Sequence, residues 1–414
     1  MNRIAKSFFL ALLLGVCVSG LSVSTGYAET YTYTIPVSMD FSGPYSYLSK
    51  TTLPGEQVIT MWWNENVGSK LGVKLNMKAY DMRYNPSVVS SMWPGILATD
   101  KPVLYQGLGG PDAAALMKRL PNDKVPMIQS TACYGFQWLP DVWMFTPRPT
   151  YVHEFRGFLA WVKSNWKESR PIRVSAISTQ GIPAYEDAVK GYESMCSESK
   201  DLEYVGTTYV KMVPVNVTNE MSQLAKKKPD FILMLGSTSQ VVVVIKAQKE
   251  LGLHIPVVTT SHNDIGSVNN VLPIGDIEGR MYDVAALTPS LDHSIAGYKV
   301  FEEYKTKLSP PAPDGAWDLS TLQGAAQAIL GVRVIERVIK KLGPDKVTGE
   351  EVYKAMYDGP FTSEELLGLM PTIEFHRTAP FPEQAMKVKI STVKDGKRVI
   401  ATPDWVPIPN IKKW

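Results

Sequence analysis

Apolar and polar positions alternate over residues 31–39 ("YTYTIPVSM"), where Tyr33, Ile35 and Val37 are spaced as in a half-buried strand. The stretch "TLPGEQVITMWWNENVG" (52–68) reads as a helix, so "DFSGPYSYLS", Asp40 to Ser49, is a strand-to-helix loop. It is longer than the two to six residues usual for such connections, which points to a function. The pairing then repeats. Residues 73–80 alternate as a strand and 86–97 follow as a helix with Pro at its first turn. After them come the strand "KPVLYQG" (101–107), the helix "PDAAALMKRL" (111–120) and the strand "VPMIQ" (125–129). Repeated β-α units imply a parallel sheet covered on both faces.

A second series follows "WMFTPRPTYVHEF". Helices are predicted over 151–166, 184–196, 217–228 and 240–251, alternating with strands "IRVSAIS", "LEYVGTTYV", "DFILML" and "IPVVTT". The same grammar used twice predicts two doubly wound α/β lobes. From residue 280 the order changes to a strand "RMYDVAAL" and helices over 292–308, 317–342 and 348–357. A late hairpin, "AMKVKISTVKDGKRVIAT", turns at Asp395-Gly396. A chain that builds two sheets and then adds such elements crosses between its lobes more than once.

Composition narrows the function. The first 28 residues carry Arg3 and Lys6, an apolar run from Phe8 to Val18 and small residues up to Ala28, the pattern of a cleaved secretory signal. The apolar run is too short to span a bilayer, and Val16 stands before Cys17 where a lipoprotein signal has Gly or Ala. Removing Arg3 and Lys6 takes the net charge from +3 to +1, which argues against nucleic acid or an anionic membrane as partner. Cys133 and Cys196, expected in different lobes, are predicted to be free thiols.

The segments "SGPYSYLSKTTLPGEQVITMWWNENVGSKLGVKLNMKAYDMRYNP", "KPVLYQGLGGPDAAA" with "VPMIQSTA", "TQGIPAYEDAVKGYES", "LAKKKPDFILMLGSTSQVVVVIKAQKELGL" and "VKDGKRV" occur in a telling order. Together they resemble the type I periplasmic solute-binding proteins of ABC transporters, in the branched-chain amino acid (Leu/Ile/Val) branch. The resemblance implies two Rossmann-like lobes joined by a three-strand hinge that close on a ligand. Expected divisions are 1–28 signal peptide, 29–147 plus 286–378 for one lobe, and 148–285 plus 379–414 for the other. It further implies a monomeric periplasmic protein that hands a small molecule to a membrane permease, or alternatively a ligand-sensing receptor of the same fold, with no cofactor, metal or catalytic step.

Site residues follow from the same resemblance. Ser42 and Tyr45 belong to the opening loop at the first strand's carboxyl end, which faces the cleft. A ligand carboxylate is expected on backbone amides at Gly109 and Gly110, where Gly110 replaces the family's serine, and at Ser130, Thr131 and Cys133, where Cys133 replaces a threonine. Tyr185 matches a tyrosine that covers the ligand, with core packing as its competing role. Ser237 and Thr238 end a strand toward the cleft. The family's acid for an α-ammonium falls at Ser261, beside His262 and Asp264; Asp264 substitutes for that acid or caps the next turn. These changes put a zwitterionic amino acid in question, and Trp62, Trp63, Trp138 and Trp143 suit a ring or an amide, although mid-helix Trp62 and Trp63 are expected to pack on the sheet.

Enzyme motifs are missing from the sequence: "GLGGPD" lacks dinucleotide-binding spacing, and no G-x-S-x-G occurs. The five histidines, His153, His254, His262, His293 and His376, show no metal-ligand spacing and are expected at the surface or in caps.

Overall fold

The computed structural model describes residues 30–414 except 44, 131–140, 142, 380, 384 and 385, with the side chains of 47 and 183 also left out. Strands β1 (Tyr31–Met39), β2 (Val73–Asp81), β3 (Tyr105–Gly107), β4 (Met127–Gln129) and β5 (Met144–Phe145) form a parallel sheet ordered β2-β1-β3-β4-β5. Strands β6 (Ile172–Ser178), β7 (Leu202–Tyr209), β8 (Phe231–Met234), β9 (Val257–Thr259) and β10 (Met281–Ala285) repeat that order as β7-β6-β8-β9-β10. Three antiparallel strands extend the second sheet: β11 (Lys387–Lys394) pairs with β10, and β12 (Lys397–Ile400) and β13 (Val406–Pro407) pair with β11. In each sheet the order reverses between its first and third strands, so a crevice opens beyond the carboxyl ends of β1 and β3, and of β6 and β8.

Central strands such as β8 and β9 are buried on both faces, which explains their continuous apolar runs, while the edge strands β2 and β7 are half-exposed. In the second sheet Leu233, Val258 and Val284 face one core, while Ile232, Val257 and Met281 face the other. The first lobe's core joins residues of β1 to β5 with a later stretch between Leu287 and Phe375. The chain therefore leaves the first lobe after β5, returns after β10 and leaves again before β11. This is the two-lobed, three-crossing architecture expected of the type I fold.

Helix starts follow their caps. Thr150 caps Tyr151–Asn165, Ser237 caps Thr238–Glu250 and Asp318 caps Leu319–Leu342. The Asp395-Gly396 turn has φ of 52° and 68° at its two central residues, the left-handed pair that a two-residue hairpin requires. Trp63 is buried in the first core and donates to Glu336 (3.3 Å), and Arg333 lies over Trp62, so both tryptophans pack as expected.

Three readings need correction. The helix after β1 starts at Ser46, leaving a loop of Asp40 to Tyr45, because Tyr45 to Ser49 already turn into helical bonds. The segment "PDAAALMKRL" splits into Gly110–Leu116 and Leu120–Asp123, the second starting where Pro121 suits a first turn. His153 is buried instead of lying at the surface, with Nδ1 on Thr150 Oγ1 (2.7 Å), and burial pushes its pKa down to about 3.

The helices Ser46–Trp63 and Leu319–Leu342 meet through glycine. A Cβ on Gly55 would stand 2.1 Å from the Thr321 carbonyl oxygen, and one on Gly324 would stand 2.1 Å from that of Thr52. Gly55→Ala or Gly324→Ala should each lower stability by about 1–3 kcal/mol in denaturant unfolding. Gly95→Ala, whose Cβ would meet nothing within 4 Å, should be neutral or stabilising by up to about 1 kcal/mol. Equal midpoints for all three would refute the close approach.

Candidate functional site

The loop after β1 is shaped by Asp40. Its buried carboxylate accepts the amides of Gly43 (2.5 Å) and Tyr45 (2.7 Å), and its own amide donates to Ser49 Oγ (2.8 Å). A side chain at residue 43 would strike that carboxylate, so glycine is required there. The result is to aim Tyr45 between the lobes. Its ring lies 4.4 Å from that of Tyr84, and its hydroxyl is 3.4 Å from the Tyr185 hydroxyl of the second lobe.

Two cavities occupy the space beyond the strand ends. The smaller, about 30 Å³, is walled by Tyr45, Tyr84, Ser130, Tyr151, His262 and Gln323. The larger, about 620 Å³, brings together the apolar side chains of Leu48, Met212, Val242, Val243, Val271 and Leu319, with Ser237 and Thr238 at the β8 end. Both include Tyr45, Leu48 and His262, so a polar chamber and a larger one adjoin at those three residues. A third cavity, of about 650 Å³, runs past Thr32, Asp100 and Thr348 and holds none of the sequence-derived site residues.

The structure brings Tyr45, Ser130, Ser237, Thr238 and His262 to these walls and moves others away. Ser42 is exposed and donates to Asp81 (2.6 Å), tying the loop to β2. Gly109 caps the Gly110–Leu116 helix, but its amide (3.0 Å) and that of Leu108 (3.1 Å) already donate to Asp112. The amide expected to hold a ligand carboxylate at Gly109 is thus spent on an internal one. Tyr185 takes the core-packing alternative, buried in the second lobe's core with its hydroxyl 3.4 Å from that of Tyr45, and lines neither chamber. Thr238 donates to Asn263 Oδ1 (3.2 Å). Asp264 takes the capping alternative: it accepts from the Ser267 amide (2.8 Å) and from Arg398 (2.9 Å), and lines neither chamber. Thr131 and Cys133 lie outside the described residues, as does Trp138. Cys196 is a free buried thiol whose pKa burial pushes up to about 12.

Ser261 holds a network that sequence reading missed. Its hydroxyl accepts from Arg148 Nε (2.7 Å) and donates to Glu154 Oε2 (2.8 Å), while its amide also donates to Glu154 (3.0 Å). Arg148 further donates to the Ser130 carbonyl (2.5 Å), Glu154 accepts the Ala286 amide (2.8 Å), and Gln323 donates to the Ser261 carbonyl. These contacts join the first crossing, the second crossing and both lobes. Burial pushes Glu154 up to about 7, against the pull of Arg148 and its three donors. The available signal was a lone charge, Arg148, held between Pro147 and Pro149 in an apolar stretch. Tyr84, Tyr151 and Gln323 were missed as well, since nothing local marks them.

His262 stands at the cleft, as the candidate site expects, and not at the surface expected of the histidines as a group. Burial and the nearby Arg148 charge push its pKa down to about 4, leaving the ring neutral, and its buried Nδ1 has no hydrogen-bond partner.

Comparison with known proteins adds to this geometry. A family model described as "Periplasmic binding protein" matches residues 32–397. No match is found among curated proteins. Similar solved structures include an ABC transporter substrate-binding protein from Aeropyrum pernix, 16% identical over 92% of this chain and 97% of that one, with a TM-score of 0.79. Another is a branched-chain amino acid ABC transporter protein from Thermus thermophilus with bound valine, 17% identical over 90% and 96%, TM-score 0.76. A third is an ABC transporter solute-binding protein from R. palustris in complex with 4-hydroxybenzoate, 18% identical over 91% and 98%, TM-score 0.70.

Two outcomes test the site's electrostatics. Ser261→Ala leaves Arg148 and Glu154 without their shared hydroxyl and should cost about 1–3 kcal/mol in chemical unfolding; an unchanged midpoint would empty the network of weight. The His262 ring should titrate near pH 4 in a proton NMR titration. Because its folded pKa lies below the unfolded value, the stability tied to this ring is complete above about pH 6.5 and is lost as pH falls toward 4. Titration near 6.5 would place the ring in water.

Proposed function

The chain belongs to the periplasmic binding protein family, and on that premise we propose that it captures a small solute between its lobes and delivers it to the permease of an ABC importer. The observation that carries this reading is the pair of adjoining chambers, lined by residues of both lobes and meeting at Tyr45, Leu48 and His262. Closure of two rigid lobes about a few crossing segments is the motion such a fold provides. The first 28 residues act as an export signal and place the mature chain in the periplasm. Among the described residues, no helix is long and apolar enough to cross a membrane. The chain works as a monomer, without catalysis.

The bound solute is small and polar or amino-acid-like at one end. Fold likeness to a valine-bound protein supports a branched-chain amino acid, and likeness to a 4-hydroxybenzoate complex supports an aromatic acid. The tyrosines around the polar chamber, Tyr45, Tyr84 and Tyr151, favour the second.

Native mass spectrometry of the undenatured chain should show a bound small molecule, and a thermal-shift panel of amino acids, aromatic acids, amides and ureas should identify its class. A true ligand at about 100 times its Kd adds roughly 2.7 kcal/mol of stability. Leu48→Trp fills the junction of the chambers and should weaken that ligand at least about tenfold, near 1.4 kcal/mol, without moving the ligand-free midpoint. No ligand from either method, or an unchanged affinity in Leu48→Trp, would remove the cleft from consideration.

A further inference from the structure

Arg148 is buried and does not itself line the polar chamber, but it lies behind two residues that do. Its Nη2 donates to the Ser130 carbonyl (2.5 Å) and the Tyr151 hydroxyl (3.3 Å), and both residues line that chamber. Its Nε is taken by Ser261, while Nη1 is buried with no hydrogen-bond partner. A guanidinium presents its N–H groups in a fixed fork, so three bonds made on the Nε and Nη2 side leave the other side to a further acceptor. The chamber feels this charge, since it helps to hold the His262 ring neutral.

Nothing comparable is available for a cation. Among the described residues, no Asp or Glu lines the polar chamber and Asp318 is the one acid on the larger, where it caps the Leu319–Leu342 helix through the Thr321 amide (2.8 Å). Residues 131–140 contain no Asp, Glu, Lys or Arg, so that segment brings no counter-charge either. Glu154 lies on the far side of Ser261, with its oxygens occupied by Ser261 and Ala286. An ammonium group closed into this cleft would be an unpaired buried charge, which is strongly disfavoured. A carboxylate would meet the free edge of Arg148 in a charge-assisted bond.

Resting on the reading of the cleft as a solute site, we infer that its solute is a monoanion without an ammonium group, its carboxylate on Arg148 and its apolar body along Leu48, Val242, Val243 and Val271. This makes Arg148 the residue that selects by charge. It also accounts for the missing acid at Ser261: the hydroxyl that replaces it orients Arg148 toward an anion instead of binding a cation.

Isothermal titration calorimetry of the full chain with 3-phenylpropanoate, 3-phenylpropanamide and L-phenylalanine tests this, because the three share one apolar body. The carboxylate should bind at least about tenfold tighter than the amide or the amino acid, and Arg148→Met should bring carboxylate and amide to equal affinity. The wild-type ratios decide the matter even where Arg148→Met fails to fold. An amide as tight as the carboxylate would show Arg148 to be silent, and phenylalanine as tight would show a partner for the ammonium; either overturns the inference and leaves the cleft reading standing. If none of the three binds while the thermal-shift panel finds a ligand that is neutral or carries an ammonium, the inference also falls; a panel ligand that is an ammonium-free monoanion and loses at least about tenfold in Arg148→Met upholds it, and one indifferent to that change overturns it. No ligand at all removes both readings together.

Discussion

The structure depends on one buried polar relay, Arg148 to Ser261 to Glu154, set where the chain first passes between its lobes. Taking two opposite charges out of water is costly unless their remaining hydrogen-bonding groups are satisfied. Here Glu154 collects two amides and a hydroxyl, from the β9 end and the second crossing, while Arg148 reaches back to the β4 end of the first lobe. The lobes are thereby indexed to one another through a fixed point, and everything that forms the cleft wall is placed relative to it. Ser261 is the hub, and Gln323 of the long first-lobe helix closes the circle on its carbonyl.

The lobes themselves are stiff. Interlocked glycines press the Ser46–Trp63 and Leu319–Leu342 helices together, and both helices reach the cleft at their amino ends, through Tyr45 and Leu48 on one and Leu319 on the other. Closely packed interiors move as units. Any motion is therefore concentrated in the three crossings, and the Tyr45–Tyr185 hydroxyl contact is where the two units touch across the opening. The proposed recognition site lies at the same place: a neutral histidine, three tyrosines and a buried arginine on the polar side, aliphatic side chains on the other.

Much of the architecture was legible because its signals are local. Alternation and apolar runs gave the strands, first-turn prolines such as Pro86 a helix start, and Asp395-Gly396 the hairpin; the repeated β-α grammar became two sheets of the same strand order. The site was legible only in part. Tyr45 and His262 reach the chambers as expected, since strand ends in such sheets must point there. The roles of Gly109 and Ser261 were not readable, nor was the choice between the two read for Asp264, because side-chain partners decide them: Asp112 turns its acid onto the Gly109 amide, Glu154 and Arg148 claim the Ser261 hydroxyl, and Arg398 holds Asp264. Arg148 itself was passed over, as nothing along "TPRPT" tells which lobe will bury it.

Small-angle X-ray scattering of the chain with and without its solute addresses the mechanical core of the account most directly. With solute bound, the curve should match the closed arrangement in which Tyr45 meets Tyr185; without it, the particle should be larger, with each lobe unchanged in shape. Superimposable curves, with calorimetry on the same samples proving that the solute is bound, would contradict closure about the Arg148–Ser261–Glu154 relay.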